Sequence, residues 1–167
     1  MIVVVIIGIV YSLVLGKFDT KQYLKIAKLE SLRDIMTTKH KEGTRLDLYI
    51  YDNCKKSALF INNEYQEEMK IDIKPKIFNN IKVYKSDRFG NERKIDFSPL
   101  IIDNKLYNVC FKYTVFPNSS ASNYIIEQNN RFFVFPPYFE DVNQTDNLKE
   151  ALLTFTHKDQ KRIDSYE

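Results

Sequence analysis

The stretch MIVVVIIGIVYSLVLG restricts this chain more than any other: from Met1 to Gly16 its only ionisable side chain is Tyr11, and Lys17 ends the run abruptly. Sixteen helical residues rise about 24 Å, short of the roughly 30 Å hydrocarbon core that about 20 residues span. The run therefore reads as the remainder of a longer membrane helix whose beginning is missing. Two alternatives stay open. Val and Ile favour strands, although an apolar run with no turn signal before Gly16 is long for one strand. A cleavable secretory signal would carry a basic flank and a small-x-small cut, and neither is clear here.

Beyond Gly16 the text KFDTKQYLKIAKLESLRDIMTTKH holds good helix formers and neither Pro nor Gly. Leu24, Ala27, Ser31 and Ile35 recur at steps of three and four, with Ile26, Leu29, Leu32 and Met36 beside them. Lys17, Lys21, Lys25 and Lys28 line another face, ordinarily a solvated one, with lipid headgroups or a neighbour's acids as the alternative. The spacing predicts one helix from Met1 to about Lys39, apolar all round in its first half and one-sided in its second.

From Thr44 the period changes to two: Leu46, Leu48 and Ile50 alternate with Asp47 and Tyr49, and Met69, Ile71 and Ile73 alternate with Lys70, Asp72 and Lys74. Further strands are expected at 57–61, 81–84, 94–97, 108–116, 124–127 and 132–135. Asn62-Asn63, Phe89-Gly90-Asn91, Asp103-Asn104 and Gln128-Asn129-Asn130 supply turn chemistry between them. In RFFVFPPYF, Phe132 to Phe135 make both faces of one strand apolar, which suits burial between a sheet and a helix; a subunit contact is the alternative. TDNLKEALLTF reads as a short helix capped by Asp146 or Asn147, with Leu148, Ala151, Leu152 and Phe155 on one face. The expected class is α+β, a long N-terminal helix packed on an antiparallel β-sheet head with a short C-terminal helix. Its parts are a membrane half over 1–16, an amphipathic continuation over 17–40, a β-rich head over 41–156 and a polar tail over 157–167.

Chemistry-bearing motifs are scarce. No G-x-S-x-G nucleophile turn and no phosphate-binding G-x-x-x-x-G-K-[ST] loop occurs, and His40 and His157 read as surface residues in polar loops. Cys54 and Cys110 lack zinc-site spacing, so neither a metal nor a cofactor is expected. With 25 basic and 22 acidic side chains the net charge is only +3, which leaves room for a weak or local DNA contact but does not mark a nucleic-acid binder. An enzyme with a small-molecule substrate is not expected.

The apolar MIVVVIIGIVYSLVLG followed by an amphipathic helix and a β-rich head resembles the type IV pilins and type II secretion pseudopilins. In that resemblance Ile2, Val3, Val4, Val5, Ile6, Ile7, Ile9, Val10, Leu13 and Val14 are the membrane and assembly positions. The chain departs from the family by lacking a basic leader, the glycine before the prepilin peptidase cut, the N-methylated aromatic residue and the glutamate at the fifth mature position. Restoring five residues would lengthen the apolar helix to about 21, enough to span. Lysines on the C-terminal flank alone would hold the head in the cytoplasm, and a lost basic leader removes that conflict. A start assigned too far downstream, or a truncated record, is the expectation.

The resemblance implies a non-enzymatic subunit of a type II secretion or competence DNA-uptake pseudopilus. Its partners would be other pilin-like subunits, inner-membrane lipid and the proteins of the secretion or DNA-uptake platform. A single-pass, membrane-anchored periplasmic binding protein that does not polymerise is the alternative. In an oxidising periplasm a Cys54–Cys110 bond would close 56 residues and stabilise the head by about 4 kcal/mol in the chain-entropy model. Strand parity puts Cys110 with Asn108, Lys112 and Thr114, away from Phe111 and Tyr113; two separate thiols are the alternative. Asp141-Val-Asn143-Gln-Thr145 resembles the extended acceptor pattern of bacterial N-glycosylation, making Asn143 a candidate in an expected exposed loop, with an ordinary cap-and-turn region as the plain alternative.

Overall fold

The computed structural model describes residues 24–67, 71–87, 89–138 and 140–163. Its first elements are β1 (Leu24–Ile26), α1 (Leu32–Lys39), β2 (Leu46–Tyr51), β3 (Lys56–Ile61), β4 (Glu64–Tyr65) and β5 (Ile71–Ile73), followed by a 3-10 turn at Pro75–Phe78. Then come β6 (Lys82–Ser86), β7 (Glu92–Lys94), β8 (Leu100–Ile102), β9 (Lys105–Tyr107) and β10 (Val109–Val115). The chain closes with β11 (Tyr124–Gln128), β12 (Arg131–Phe135), β13 (Asn143–Thr145) and α2 (Leu148–Ile163).

Asparagine and aspartate do the work that glycine usually does in tight hairpins. Both central residues are left-handed at Asn62-Asn63 (φ 50° and 69°), Asp103-Asn104 (50° and 60°) and Asn129-Asn130 (51° and 60°). Asn and Asp tolerate that region through their short polar side chains, and its twist matches flanking strands. These three turns join β3 to β4, β8 to β9 and β11 to β12 as antiparallel pairs.

Two antiparallel sheets result, one ordered β10-β2-β3-β4 and the other β13-β12-β11-β6-β7. Their facing sides share one core. Leu48, Ile50, Leu59, Phe111 and Tyr113 of the four-stranded sheet meet Val83, Ile126, Phe133 and Phe135 of the five-stranded sheet, with the Tyr113 and Phe135 rings 5.8 Å apart edge to face. Strand alternation puts these residues inward and leaves Asp47, Tyr49, Phe60, Lys112 and Thr114 on the opposite side of the four-stranded sheet. The far side of the five-stranded sheet carries Tyr84, Ile125 and Val134 and is covered by Ala151 and Phe155 of α2. Asn147 Oδ1 caps that helix by accepting the Lys149 N–H at 2.8 Å. Strand β12 is thus buried on both faces, Phe133 and Phe135 toward the core and Val134 toward α2, the outcome its run of apolar residues suggested.

The long N-terminal helix is overturned. Leu24–Ile26 is strand, paired in parallel with Ile71–Ile73, and residues 27–31 turn before helix begins at Leu32. Ile26, Leu29, Leu32 and Met36 are all buried in the core, as their spacing implied. Burial there is achieved by a strand, a turn and eight residues of helix rather than one rod, because pairing with β5 outcompetes modest local helix preferences. Accordingly the fold is not α+β with a helix laid along a sheet; it is mainly β, with α1 and α2 as short accessories among the described residues. No helix among them is long and apolar enough to cross a membrane. The membrane and assembly positions from Ile2 to Val14 lie outside the described residues.

Candidate functional site

The outer side of the four-stranded sheet carries an unusual set of side chains for a surface strand face. Tyr49 of β2 packs edge to face on Phe60 of β3 with ring centres 5.2 Å apart, and Phe60 meets Tyr65 of β4 at 5.5 Å. On the other side of Tyr49, the Lys112 ammonium of β10 lies 4.6 Å from the ring centre, within cation–π range. Strand alternation produces this row: Asp47, Tyr49 and Tyr51 project opposite to Leu46, Leu48 and Ile50, and cross-strand pairing sets Tyr49 against Ala58 and Lys112. Tyr65 is 44% exposed while Tyr49 and Phe60 are half-buried, and no described helix packs on this side.

Asp47 anchors the row from below. It is fully buried, and its carboxylate accepts from Arg45 Nε at 2.9 Å and Nη2 at 3.3 Å and from the Thr114 hydroxyl. The Lys112 ammonium stands 3.5 Å away. An isolated buried carboxylate would be costly, and this one is matched by two cations and a hydroxyl. Lys112 is held between Asp47 and the Tyr49 ring, with its side chain only 25% exposed.

Past β10 the row runs into a cavity. Val115 bridges to Ala121, and the Ser122 N–H donates to the Thr114 carbonyl at 2.8 Å, so the chain entering β11 lies against β10. This brings Tyr124 beside Lys112, where the two share the wall of a cavity of about 300 Å³ with Tyr49, Phe97, Pro99, Lys85 and Asp96. Its volume falls at the small end of ligand pockets. The Lys85 ammonium lies 5.2 Å from the Tyr124 ring centre, and Phe97 packs edge to face on Tyr124 at 6.0 Å. Burial pushes the Tyr124 phenol above its ordinary range, opposed by its hydrogen bond with Ser122 and the nearby Lys112. From edge strand to cavity the order is Tyr65, Phe60, Tyr49, Lys112, Tyr124, Lys85, rings first and then ring alternating with cation.

Among the remaining charges most cancel locally. Arg45 offsets Asp47, Lys56 sits 2.9 Å from Asp52, and Lys94 faces the exposed Asp96 at 4.0 Å. At the cavity itself the cations are Lys85 and Lys112, the latter shared with Asp47, and the acid is Asp96. A second recess of about 660 Å³ is lined by Lys28, Glu30, Lys74, Arg131 and Phe133 among others; it presents a single ring, so it lacks the row of rings that leads to the smaller cavity.

Cys54, in the turn after β2, and Cys110, in β10, are disulfide-bonded with Cα atoms 5.7 Å apart. The bond ties the β2–β3 turn to β10 at one end of the ring-bearing side, where Tyr51 packs on Tyr107 at 5.1 Å. Asn143 is half-buried on edge strand β13, paired with Val134, and not in an exposed loop. His40 is also half-buried, its Nε2 donating to the Thr44 carbonyl at 2.7 Å. Among the described residues no cluster of His, Cys, Asp or Glu could hold a metal ion.

Of this row, sequence reading marked Asp47 and Tyr49 as the polar half of an alternation and Lys112 as sharing a strand face with Cys110 and Thr114. The signal was present in LDLYIY: two of the three outward positions are Tyr, where a solvated sheet face usually carries charge. Tyr124 and Lys85 had no such signal: the Val115–Ala121 bridge sets Tyr124 beside β10, and pairing of β6 with β11 brings Lys85 to it. Comparison with protein-family models, curated proteins and solved structures yields no match for this chain.

Proposed function

We propose that this chain is a non-catalytic binding domain of an oxidising, extracytoplasmic compartment, with the ring-and-cation side of its four-stranded sheet as the ligand surface. The observation carrying this reading is that side itself: half-buried aromatic rings and two lysines, bordered by the 95–100 segment and stapled by Cys54–Cys110. Contiguous exposed aromatic surface rimmed by polar groups marks interaction sites on soluble domains. A structural disulfide persists where thiols are not kept reduced. Asp47, the only buried carboxylate among the described residues, has its acceptor sites filled by fixed donors, which suits an anchor better than a proton acceptor.

Attachment to the inner membrane through the apolar residues 1–16 belongs to the same reading, with the domain in the periplasm. The pilin-like subunit alternative relied on a helix continuing to Lys39 along the head. Strand and turn over 24–31 remove that continuation, so the form without polymerisation is favoured. Two measurements test the proposal. Thiol alkylation at the moment of lysis of the native cells should leave Cys54 and Cys110 unmodified until a reductant is added; two freely alkylated thiols would refute the compartment. Amide shift mapping with dextran sulfate as a general polyanion probe should move Tyr49, Phe60 and Lys112, and shifts confined to the recess at Lys28, Lys74 and Arg131 would refute the surface.

A further inference from the structure

The order of side chains along the ligand surface specifies a ligand class. A flexible polyanion with flat units meets ring, ring, ring, cation, ring, cation as it crosses from β4 to the cavity. Strand spacing of about 4.8 Å makes the path from β4 to β10 about 14 Å long. Neutral sugars are a poorer match: they are gripped by carboxylates and amides that fix hydroxyls, and here the carboxylate beneath the rings, Asp47, is buried and saturated, which leaves Asp96 at the cavity wall, 4.0 Å from Lys94, as the exposed one. Lysines act as point charges suited to phosphodiester oxygens. The cavity of about 300 Å³ is walled by Tyr124, Phe97, Tyr49, Pro99 and Asp96, with Lys85 over the Tyr124 ring and Lys112 over the Tyr49 ring. One planar base fits such a slot with its flanking phosphates at the two ammonium groups.

Resting on the reading of this face as a ligand surface, we infer that it binds single-stranded nucleic acid without reading its sequence, one base in the Tyr124–Phe97 cavity and its neighbours on Tyr49, Phe60 and Tyr65. Sequence-tolerant single-strand binding combines such stacking rings with a cationic path, at site sizes of about four nucleotides or more. With Lys85 and a Lys112 already shared with Asp47, the electrostatic share is small. The logarithm of the binding constant should fall against the logarithm of salt concentration with a slope between about −0.7 and about −1.4, the shallower figure being that expected per neutralised phosphate of a single strand.

The test is fluorescence anisotropy with a labelled oligodeoxythymidylate of about 12 nucleotides, titrated with the disulfide-intact protein at several salt concentrations. Lys85→Gln should make the slope shallower by about 0.7. Tyr65→Ala should weaken binding at least about fivefold while leaving the slope unchanged, since stacking carries no counterion release. Both side chains are exposed, and unchanged circular dichroism confirms that each variant folds. Binding of inorganic polyphosphate as tight as that of the oligonucleotide, or oligonucleotide binding indifferent to Tyr65→Ala, would overturn the inference by showing charge without base stacking. Preference for polygalacturonate at the same residues would replace the nucleic acid with an acidic polysaccharide and leave the ligand surface standing. Failure of all three polyanions to bind would remove both readings.

Discussion

The two sheets of this domain are built alike and finished differently. Each turns one side to the shared core. On the other side of the five-stranded sheet, Tyr84, Ile125 and Val134 lie beneath Ala151 and Phe155 of α2, whereas on the other side of the four-stranded sheet Tyr49, Phe60 and Tyr65 have no described helix above them. The same alternation thus serves two ends. Where the outward residues are Ile125 and Val134 with Tyr84 beside them, the chain supplies a lid; where they are Tyr49, Phe60 and Tyr65 with a lysine alongside, burial is left half done. A side made only for stability would carry either charges or a cover.

The largest difference between the sheets should come from the disulfide, which belongs to the four-stranded sheet alone. Closing a loop of 56 residues stabilises by about 4 kcal/mol in the chain-entropy model. Reduction, or the paired Cys54→Ser and Cys110→Ser substitutions, should lower the denaturation free energy by about that amount in a urea titration. Hydrogen exchange should accelerate first in β2, β3 and β10. Uniform acceleration across β11 and β12 as well would mean that the two sheets unfold as one unit. Next comes the covered side: Ile125→Ala, at a fully buried position between β11 and α2, should cost about 3 kcal/mol through lost transfer energy and the cavity left behind. Phe60→Ala on the open side should cost roughly 1 kcal/mol, because that ring is half-buried and water can fill the gap. Equal costs would erase the distinction between the two sides.

Local chemistry was the legible part of this fold. Alternation foretold β2, β3, β10, β11 and β12 to within a residue or two, Asn and Asp pairs marked the hairpin turns, and the Leu148, Ala151, Leu152, Phe155 spacing with Asn147 as cap identified the start of α2. Pairing between distant segments was not legible. The text around Leu24–Ile26 is helical in propensity, and only its partner Ile71–Ile73, some 47 residues on, makes it a strand; nothing within either segment encodes the other. Three-residue strands such as β8, β9 and β13 lie below the length at which alternation is a signal. For the candidate site the division is the same. The Tyr49 and Tyr51 positions follow from period two, while the meeting of Lys112, Tyr124 and Lys85 depends on the bridge at Val115 and Ala121 and on the pairing of β6 with β11.

Alkali should separate the sheets by a smaller margin. Burial, reinforced by donation to Glu127 at 2.7 Å, pushes the Tyr84 phenol up to about 12. Because the folded value lies above the unfolded one near 10, the associated stability is fully present below about pH 10 and lost as pH rises to about 12, amounting to at most about 2 kcal/mol. Tyr84→Phe should flatten that part of a stability profile measured by urea titration at successive pH values. The core-facing Tyr113, also raised by burial, keeps its share in the variant. An unchanged alkaline limb would mean that Tyr84 ionises in the folded state at the ordinary phenol value.

The smallest effect on stability should fall on the residue at the open edge. Tyr65 ends the shortest strand, two residues long, is 44% exposed and touches the sheet mainly through the Phe60 ring. Tyr65→Ala should change the urea midpoint by an amount equivalent to about 0.5 kcal/mol or less, the range of substitutions remote from core, caps and buried polar groups. The same substitution should weaken polyanion binding by the largest factor of any single ring on this side, because the outermost ring is the one a ligand reaches without displacing protein. A Tyr65 that mattered as much to folding as Ile125 would make its exposure a by-product of packing. One that mattered to binding and not to folding would mean that the missing cover over the four-stranded sheet is the ligand itself.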